Sequence, residues 1–260
     1  MSELIEQIES SMAKRAEILE RERESEELRK KEAIAAILAE MESRAITPEE
    51  ESRLDAIEAE NKLREYNERL IEVEKLKRSS GIPERYITAS LRSWTPDNTE
   101  QETIHKQLLN WFGNILSRDC PSVIIQGAYG TGKTWVSCGI VNDLINDHGT
   151  AQFITAKGYT EKIKESYRKN SEYSESQIRN KYSRVDLLVL DEIGRQFDSD
   201  SERLYFFDLI NERYNAMKPT LLITNLDSDQ VAAFLGEAII DRFRDESGEI
   251  LSMNWTSRRG

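Results

Sequence analysis

Apolar positions along this chain keep two different rhythms, and the change falls near residue 79. Before it, apolar residues recur at the three- and four-residue intervals of a helix face. Leu63, Tyr66, Leu70 and Val73 form one such row, and Ile5, Ile8, Met12 and, less regularly, Leu19 another. After it, short apolar runs alternate with amphipathic segments. The pattern predicts helices over 101–116, 133–146, 159–182, 202–216 and 231–243, and strands over 123–126, 152–155, 187–190, 220–224 and 249–255. Runs such as Leu187-Leu-Val-Leu190 read as strands buried on both faces, the mark of a parallel sheet. The expected fold is α/β, with a five-stranded, mostly parallel sheet preceded by an α-helical N-terminal domain.

Residues 2–78 hold no glycine and a single proline among dense Glu, Lys and Arg, the composition of long exposed helix. Ile46-Thr-Pro-Glu-Glu-Glu51 interrupts it: Thr47 is the expected N-cap, Pro48 suits the first helical position, and the glutamates match the helix dipole. Two helices joined there are expected, not one rod. Arg15 and the charged stretch from Glu20 to Glu32 spoil a long apolar seam, so short coiled-coil contacts or a hairpin are expected. The apolar cluster Ala33-Ile-Ala-Ala-Ile-Leu-Ala39 then asks for a partner protein to complete the burial. Arg78-Ser-Ser-Gly-Ile-Pro83 supplies breaker residues and marks a joint. The expected organisation is 1–78 as a helical partner-binding domain, 79–100 as linker and entry to the core, and 101–260 as the α/β domain.

Chemistry enters at the end of the first predicted strand. Gly127, Ala128, Tyr129, Gly130, Thr131, Gly132, Lys133 and Thr134 fit GxxxxGKT, with a strand before and a helix after. Glycines let the backbone curl so that its N–H groups face phosphate, and the helix presents its positive end to the same anion. The expected ligand is ATP or GTP, with Lys133 against the terminal phosphates and the Thr134 hydroxyl on Mg²⁺. Asp186-Leu-Leu-Val-Leu-Asp191-Glu192 places two carboxylates at the end of another buried strand. In an ATPase, Asp191 would hold the Mg²⁺ shell and Glu192 would orient and activate the attacking water.

The bulk numbers narrow the setting. A net charge of −12 argues against nonspecific coating of nucleic acid and makes any DNA contact a local one. Cys120 and Cys138, without ligand-spaced histidines, suggest neither a zinc site nor a disulfide framework. His105 and His148 are isolated. No signal core or long apolar span is present, so no membrane partner is expected and the cytoplasm is the expected compartment.

With these residues placed, the chain resembles the DnaC-type helicase loaders of the DnaC and IstB group of AAA+ ATPases. The resemblance covers roughly 79–260. It rests on Ser79-Ser-Gly-Ile-Pro83, the phosphate loop, the acidic strand 185–194, Leu222-Ile-Thr-Asn225, Leu235-Gly-Glu237 leading to Asp241-Arg242, and Asn254-Trp255. It implies use of ATP to deliver a DnaB-type replicative helicase onto single-stranded DNA, with self-association around the helicase ring. Asn225 matches the polar sensor of the γ-phosphate or attacking water. Arg242 matches the arginine finger that acts in trans, with Arg244 able to substitute. Either Arg258 or Arg259 matches the second sensor, ungapped spacing favouring Arg259. With nothing after Gly260, the family's helical lid is expected to be absent or minimal and nucleotide to be held weakly. The family's DNA-contacting insertion corresponds to 157–180, where Lys164, Tyr167 and Arg168, with Lys162 and Lys169, are the single-stranded DNA candidates; Arg195 and Gln196 would extend that surface. The alternatives are an IstB-like transposition helper acting on duplex DNA and a nucleotide-switched adaptor with negligible turnover.

Overall fold

The computed structural model describes residues 48–117, 120–194, 200–245 and 248–257, together with 21, 25–26 and 28–36. The chain divides into two units between Asn67 and Glu68. In the first, the described residues are helical and solvent-facing, and helix α1 (Pro48–Ser79) begins on the predicted proline. Leu54, Ile57, Leu63 and Tyr66 are exposed on it, and Lys62 pairs with Glu58 one turn away. The hairpin, the Thr47 cap and the row from Ile5 to Leu19 lie outside the described residues.

The second unit is built on five strands: β1 (Val123–Gly127), β2 (Ala151–Thr155), β3 (Leu187–Ile193), β4 (Thr220–Thr224) and β5 (Ile250–Met253). Their spatial order is β2-β3-β4-β1-β5, and every pairing is parallel. Alternate strand residues feed two separate cores, as the two-residue period of a strand requires. Val123, Ile125, Leu187, Val189, Leu221 and Ile223 face one, with helices α2 (Thr99–Gly113) and α3 (Lys133–Asn146). Ile124, Leu188, Leu190 and Leu222 face the other. That side is covered by α4 (Ala156–Ser166), α5 (Glu175–Ser183), α6 (Asp200–Asn215), α7 (Ser228–Leu235) and α8 (Glu237–Asp245).

Two of the predicted helices are each two helices. The stretch 159–182 breaks between α4 and α5, because Ser174 and Gln177 form a capping box that starts a fresh helix. The stretch 231–243 breaks at Gly236, whose φ of +83° ends α7. The stretch 79–100 is woven into the core: Ile82, Ala89, Leu91 and Trp94 are buried there. Just before them the Ser80 carbonyl accepts from Phe153 N at 2.6 Å, covering the outer edge of β2. Gly81 permits this approach, since a Cβ would lie 2.2 Å from the Phe153 carbonyl oxygen.

One buried cation ties the lower ends of the central strands together. Arg213 of α6 is fully buried and donates to the carbonyls of Tyr182, Ser183, Val185, Asp186 and Pro219 and to Thr220 Oγ1. Burial lowers its pKa to about 9, against the pull of Asp186 and Glu212, so it remains charged at neutral pH. These acceptors sit where β3 and β4 begin, at the pole opposite the predicted nucleotide residues.

Candidate nucleotide-binding site

The phosphate loop leaves β1 through backbone conformations that only glycine adopts freely: φ is +151° at Gly127, +82° at Gly130 and +100° at Gly132. At Gly127 a side chain is excluded outright, because a Cβ would lie 2.3 Å from the Met253 carbonyl oxygen on neighbouring β5. Gly132 then caps α3, whose N-terminus points its free amides at the loop. Lys133 is nearly buried, and its Nζ donates to the carbonyls of Gly127 and Ala128, both at 2.7 Å. A phosphate oxygen would compete for the same donor protons. Trp255 Nε1 donates to the Thr131 carbonyl at 2.8 Å and so clamps the loop from beyond β5.

The acidic pair sits in a β-bulge. Leu190 pairs with Leu222 and Ile193 with Thr224, so Asp191 and Glu192 together oppose Ile223 alone. A bulge of this kind twists the strand and re-aims its side chains. Glu192 consequently takes φ +60°, which is strained for a side chain larger than glycine. Asp191 Oδ2 accepts from Thr134 Oγ1 at 3.0 Å, and Asp191 Oδ1 from Glu192 N at 2.6 Å. Burial raises the Asp191 pKa above the ordinary carboxylate value, assisted by Glu192 and opposed by the bonds from Glu192 N and Thr134 and by Lys133.

These groups open on one cleft of about 570 Å³. Gly130 to Val136, Asp191, Glu192, Thr224 and Asn225 line one part of it, and Arg85, Tyr86 and Trp94 another. The predicted Lys133, Thr134, Asp191, Glu192 and Asn225 are thus brought together. Thr134 and Asp191 offer two hard oxygen donors side by side, a pairing that suits Mg²⁺ completed by phosphate oxygens and water. Among the described residues, no group of three or more His, Cys, Asp or Glu forms a metal site of protein ligands alone. Sequence reasoning missed Arg85, Tyr86 and Trp94, which fell in the expected linker, and missed the Trp255 clamp. The Arg85 guanidinium lies 4.7 Å over the Tyr86 ring, and Asn142 Nδ2 holds the Tyr86 carbonyl at 3.0 Å.

Arg242 is not among the residues that line this cleft. On α8 it donates to the Ala238 carbonyl and packs 5.5 Å from the ring centres of both Phe207 and Tyr214. Arg195, Gln196, Arg258, Arg259 and the side chain of Arg244 lie outside the described residues. The DNA candidates separate onto different faces of the α4–α5 hairpin. Lys164 pairs with the buried Glu202 of α6, and Tyr167 donates its hydroxyl proton to Glu175 Oε2 at 2.5 Å. Arg168 instead lines a groove of about 940 Å³ together with Lys162, Lys169, Lys181 and Tyr173. Partial burial, and to a lesser extent the nearby Lys162, hold the Lys181 pKa below its ordinary value, and Glu165 and Glu172 line the same groove.

Five parallel strands in this order, with a phosphate loop after β1 and a carboxylate pair ending β3, give the second unit the fold of an AAA+ P-loop domain. The family model described as IstB-like ATP binding protein matches residues 50–259, and the chain belongs to this family. The replicative helicase loader DnaC of Buchnera aphidicola subsp. Baizongia pistaciae is 31% identical over 183 residues, which is 69% of this chain and 73% of the relative. The DnaC loader of Escherichia coli (strain K12) is 35% identical over 147 residues, 56% of this chain and 58% of the relative's own length. Among solved structures, the crystal structure of the DnaC helicase loader matches with a TM-score of 0.58 and 22% identity over 65% of this chain and 99% of that one. AMPPCP-bound DnaA from Aquifex aeolicus matches with a TM-score of 0.55 and 19% identity over 66% of this chain and 50% of that one, a likeness of fold. Among the described residues, no helix is long and apolar enough to cross a membrane.

Proposed function

We propose that this protein is an ATP-hydrolysing loader that binds a DnaB-type replicative helicase and delivers it onto single-stranded DNA. The observation that carries this reading is the convergence of Lys133, Thr134, Asp191, Glu192 and Asn225 in a chain of the IstB and DnaC family. Lys133 exchanges two loop carbonyls for phosphate oxygens when ATP enters. Thr134 and Asp191 would hold Mg²⁺, which when bound would offset the charge of the phosphates. Glu192 orients the attacking water and takes its proton, and Asn225, exposed at the end of β4, donates to the water or the γ-phosphate. Arg242, turned away from its own cleft, acts on the site of a neighbouring copy arranged around the helicase ring, and Arg259 serves as second sensor. Turnover is slow and rises with single-stranded DNA or helicase.

Single-stranded DNA follows the α4–α5 groove, where Arg168, Lys162, Lys169 and Lys181 track phosphates and Tyr173 offers a stacking face. Lys164 and Tyr167, engaged with Glu202 and Glu175, hold the hairpin in shape and contribute less directly. The helical N-terminal unit supplies the helicase contact through exposed Leu54, Ile57, Leu63 and Tyr66. The deciding experiment is steady-state ATP hydrolysis by the purified protein, alone and with single-stranded DNA, duplex DNA or a DnaB-type helicase. Stimulation by single strands or helicase, lost in Lys133→Ala and Glu192→Gln, is expected; stimulation by duplex alone, or no turnover anywhere, refutes the reading. Deleting residues 1–67 should abolish helicase capture and leave nucleotide binding intact.

A further inference from the structure

β4 lies between β1, which carries the phosphate loop, and β3, which carries the acidic pair. Its last residue, Thr224, is almost fully buried and pairs in register with Gln126 on one side and Ile193 on the other. Thr224 Oγ1 donates to the Ile193 carbonyl at 2.8 Å and accepts from Leu226 N at 3.0 Å. Ile193 directly follows Glu192, and Leu226 directly follows Asn225. One oxygen thus joins the backbones immediately beyond the two polar groups that face the cleft.

The surroundings point the same way. Glu192 sits at φ +60°, a conformation that persists only where neighbouring structure over-determines it. The next turn is also constrained, since Gly194 has φ +107° and a Cβ there would lie 2.6 Å from the Leu226 side chain. A hydroxyl can give one proton and accept another, and Thr224 uses both capacities on these two turns. We propose that Thr224 is a positioning residue: its hydroxyl fixes the spacing between Glu192 and Asn225, and thereby the geometry in which a water can attack the nucleotide. This rests on the ATP-hydrolysing reading of the cleft.

Thr224→Val preserves shape and removes both hydrogen bonds, whereas Thr224→Ser retains the hydroxyl. In Thr224→Val, turnover at saturating ATP with single-stranded DNA should fall roughly tenfold or more, because misplacing reacting groups lowers kcat. The dissociation constant for a fluorescent ATP analogue should stay within about twofold, since the phosphate loop keeps all its donors. Thr224→Ser should recover most of the turnover, and hydrogen exchange at the Leu226 amide should be fast in Thr224→Val and slow in the parent and in Thr224→Ser. Unchanged turnover in Thr224→Val, equal impairment in Thr224→Ser, or a Leu226 amide that stays protected without the hydroxyl would each overturn the proposal. If the parent hydrolyses no ATP under any condition, the enzymatic reading fails, and the exchange measurement still decides whether Thr224 braces the two turns.

Discussion

Replacing Arg213 by Met tests whether one buried cation holds the lower pole of the sheet. The substitution keeps a long side chain but strips donors from five backbone carbonyls and one hydroxyl. The Asp186 contact, at 3.4 Å, is weak, and the Pro219 contact, at 2.6 Å, is the shortest. An orphaned buried acceptor costs about 1–3 kcal/mol, but the carbonyls nearest the surface recover part of this from water. Relief of burying a charge offsets a further part, which brings the net loss to about 3–5 kcal/mol. With a urea m-value of about 2 kcal/mol per molar, the unfolding midpoint followed by circular dichroism should fall by about 2 M. Arg213→Lys keeps the charge with a poorer fan of donors and should lose about half as much. Because the cluster lies at the pole away from the cleft, folded Arg213→Met should bind nucleotide as the parent does. A midpoint shift below about 0.5 M would refute the reasoning, since it would mean that the acceptors find equal partners without the guanidinium.

Other consequences can be measured directly. The raised Asp191 pKa means that its ionised form is penalised in the folded state as pH rises through the interval between the ordinary and the folded values. Asp191→Asn should therefore raise the melting temperature of the nucleotide-free protein at pH 7, with no gain at pH 3, while abolishing Mg²⁺-dependent nucleotide binding. Asp186 behaves in the opposite sense: burial raises its pKa, but bonds from the Thr150 hydroxyl and amide, with Lys218 nearby, outweigh that and bring it below the ordinary value. Its stabilisation is present above the unfolded pKa and is lost as pH falls below ~4, so Asp186→Asn should flatten the acid limb of a stability-versus-pH curve. Removing Arg168 and Lys181 together should make the salt dependence of single-stranded DNA binding shallower by about 1.4 in log–log slope, at about 0.7 per phosphate contact.

How far the sequence carries depends on whether a feature is local. The strands are legible because each is a short apolar run, and the phosphate loop because strand, glycines and helix are contiguous. The acidic pair is legible as residues, but its bulge is not. That bulge arises from the register of β3 against β4, a partner 31 residues away along the Thr224–Ile193 bond. The break between α4 and α5 carries a local sign, Ser174 followed three residues later by Gln177, which helical periodicity on either side conceals. Pairing across elements leaves no such sign: nothing near Lys164 announces Glu202 of α6, and nothing near Thr131 announces Trp255. Breaker residues were equally ambiguous, since Ser79-Ser-Gly-Ile-Pro83 suits a free joint as well as a segment pressed against β2.

That segment decides where the molecule can be cut. Ser80 meets the one open flank of β2, and Val73 and Leu76 pack on the core just upstream. A chain begun at residue 101, where the regular alternation starts, would present β2 as a bare edge to other copies, and bare edges recruit strands from their neighbours. Such a fragment would grow into intermolecular sheet and precipitate, whereas one begun at residue 68 carries its own edge guard. Solubility of the excised α/β region is thus set in part by Ser80 and Gly81, which guard the β2 edge from outside the cleft.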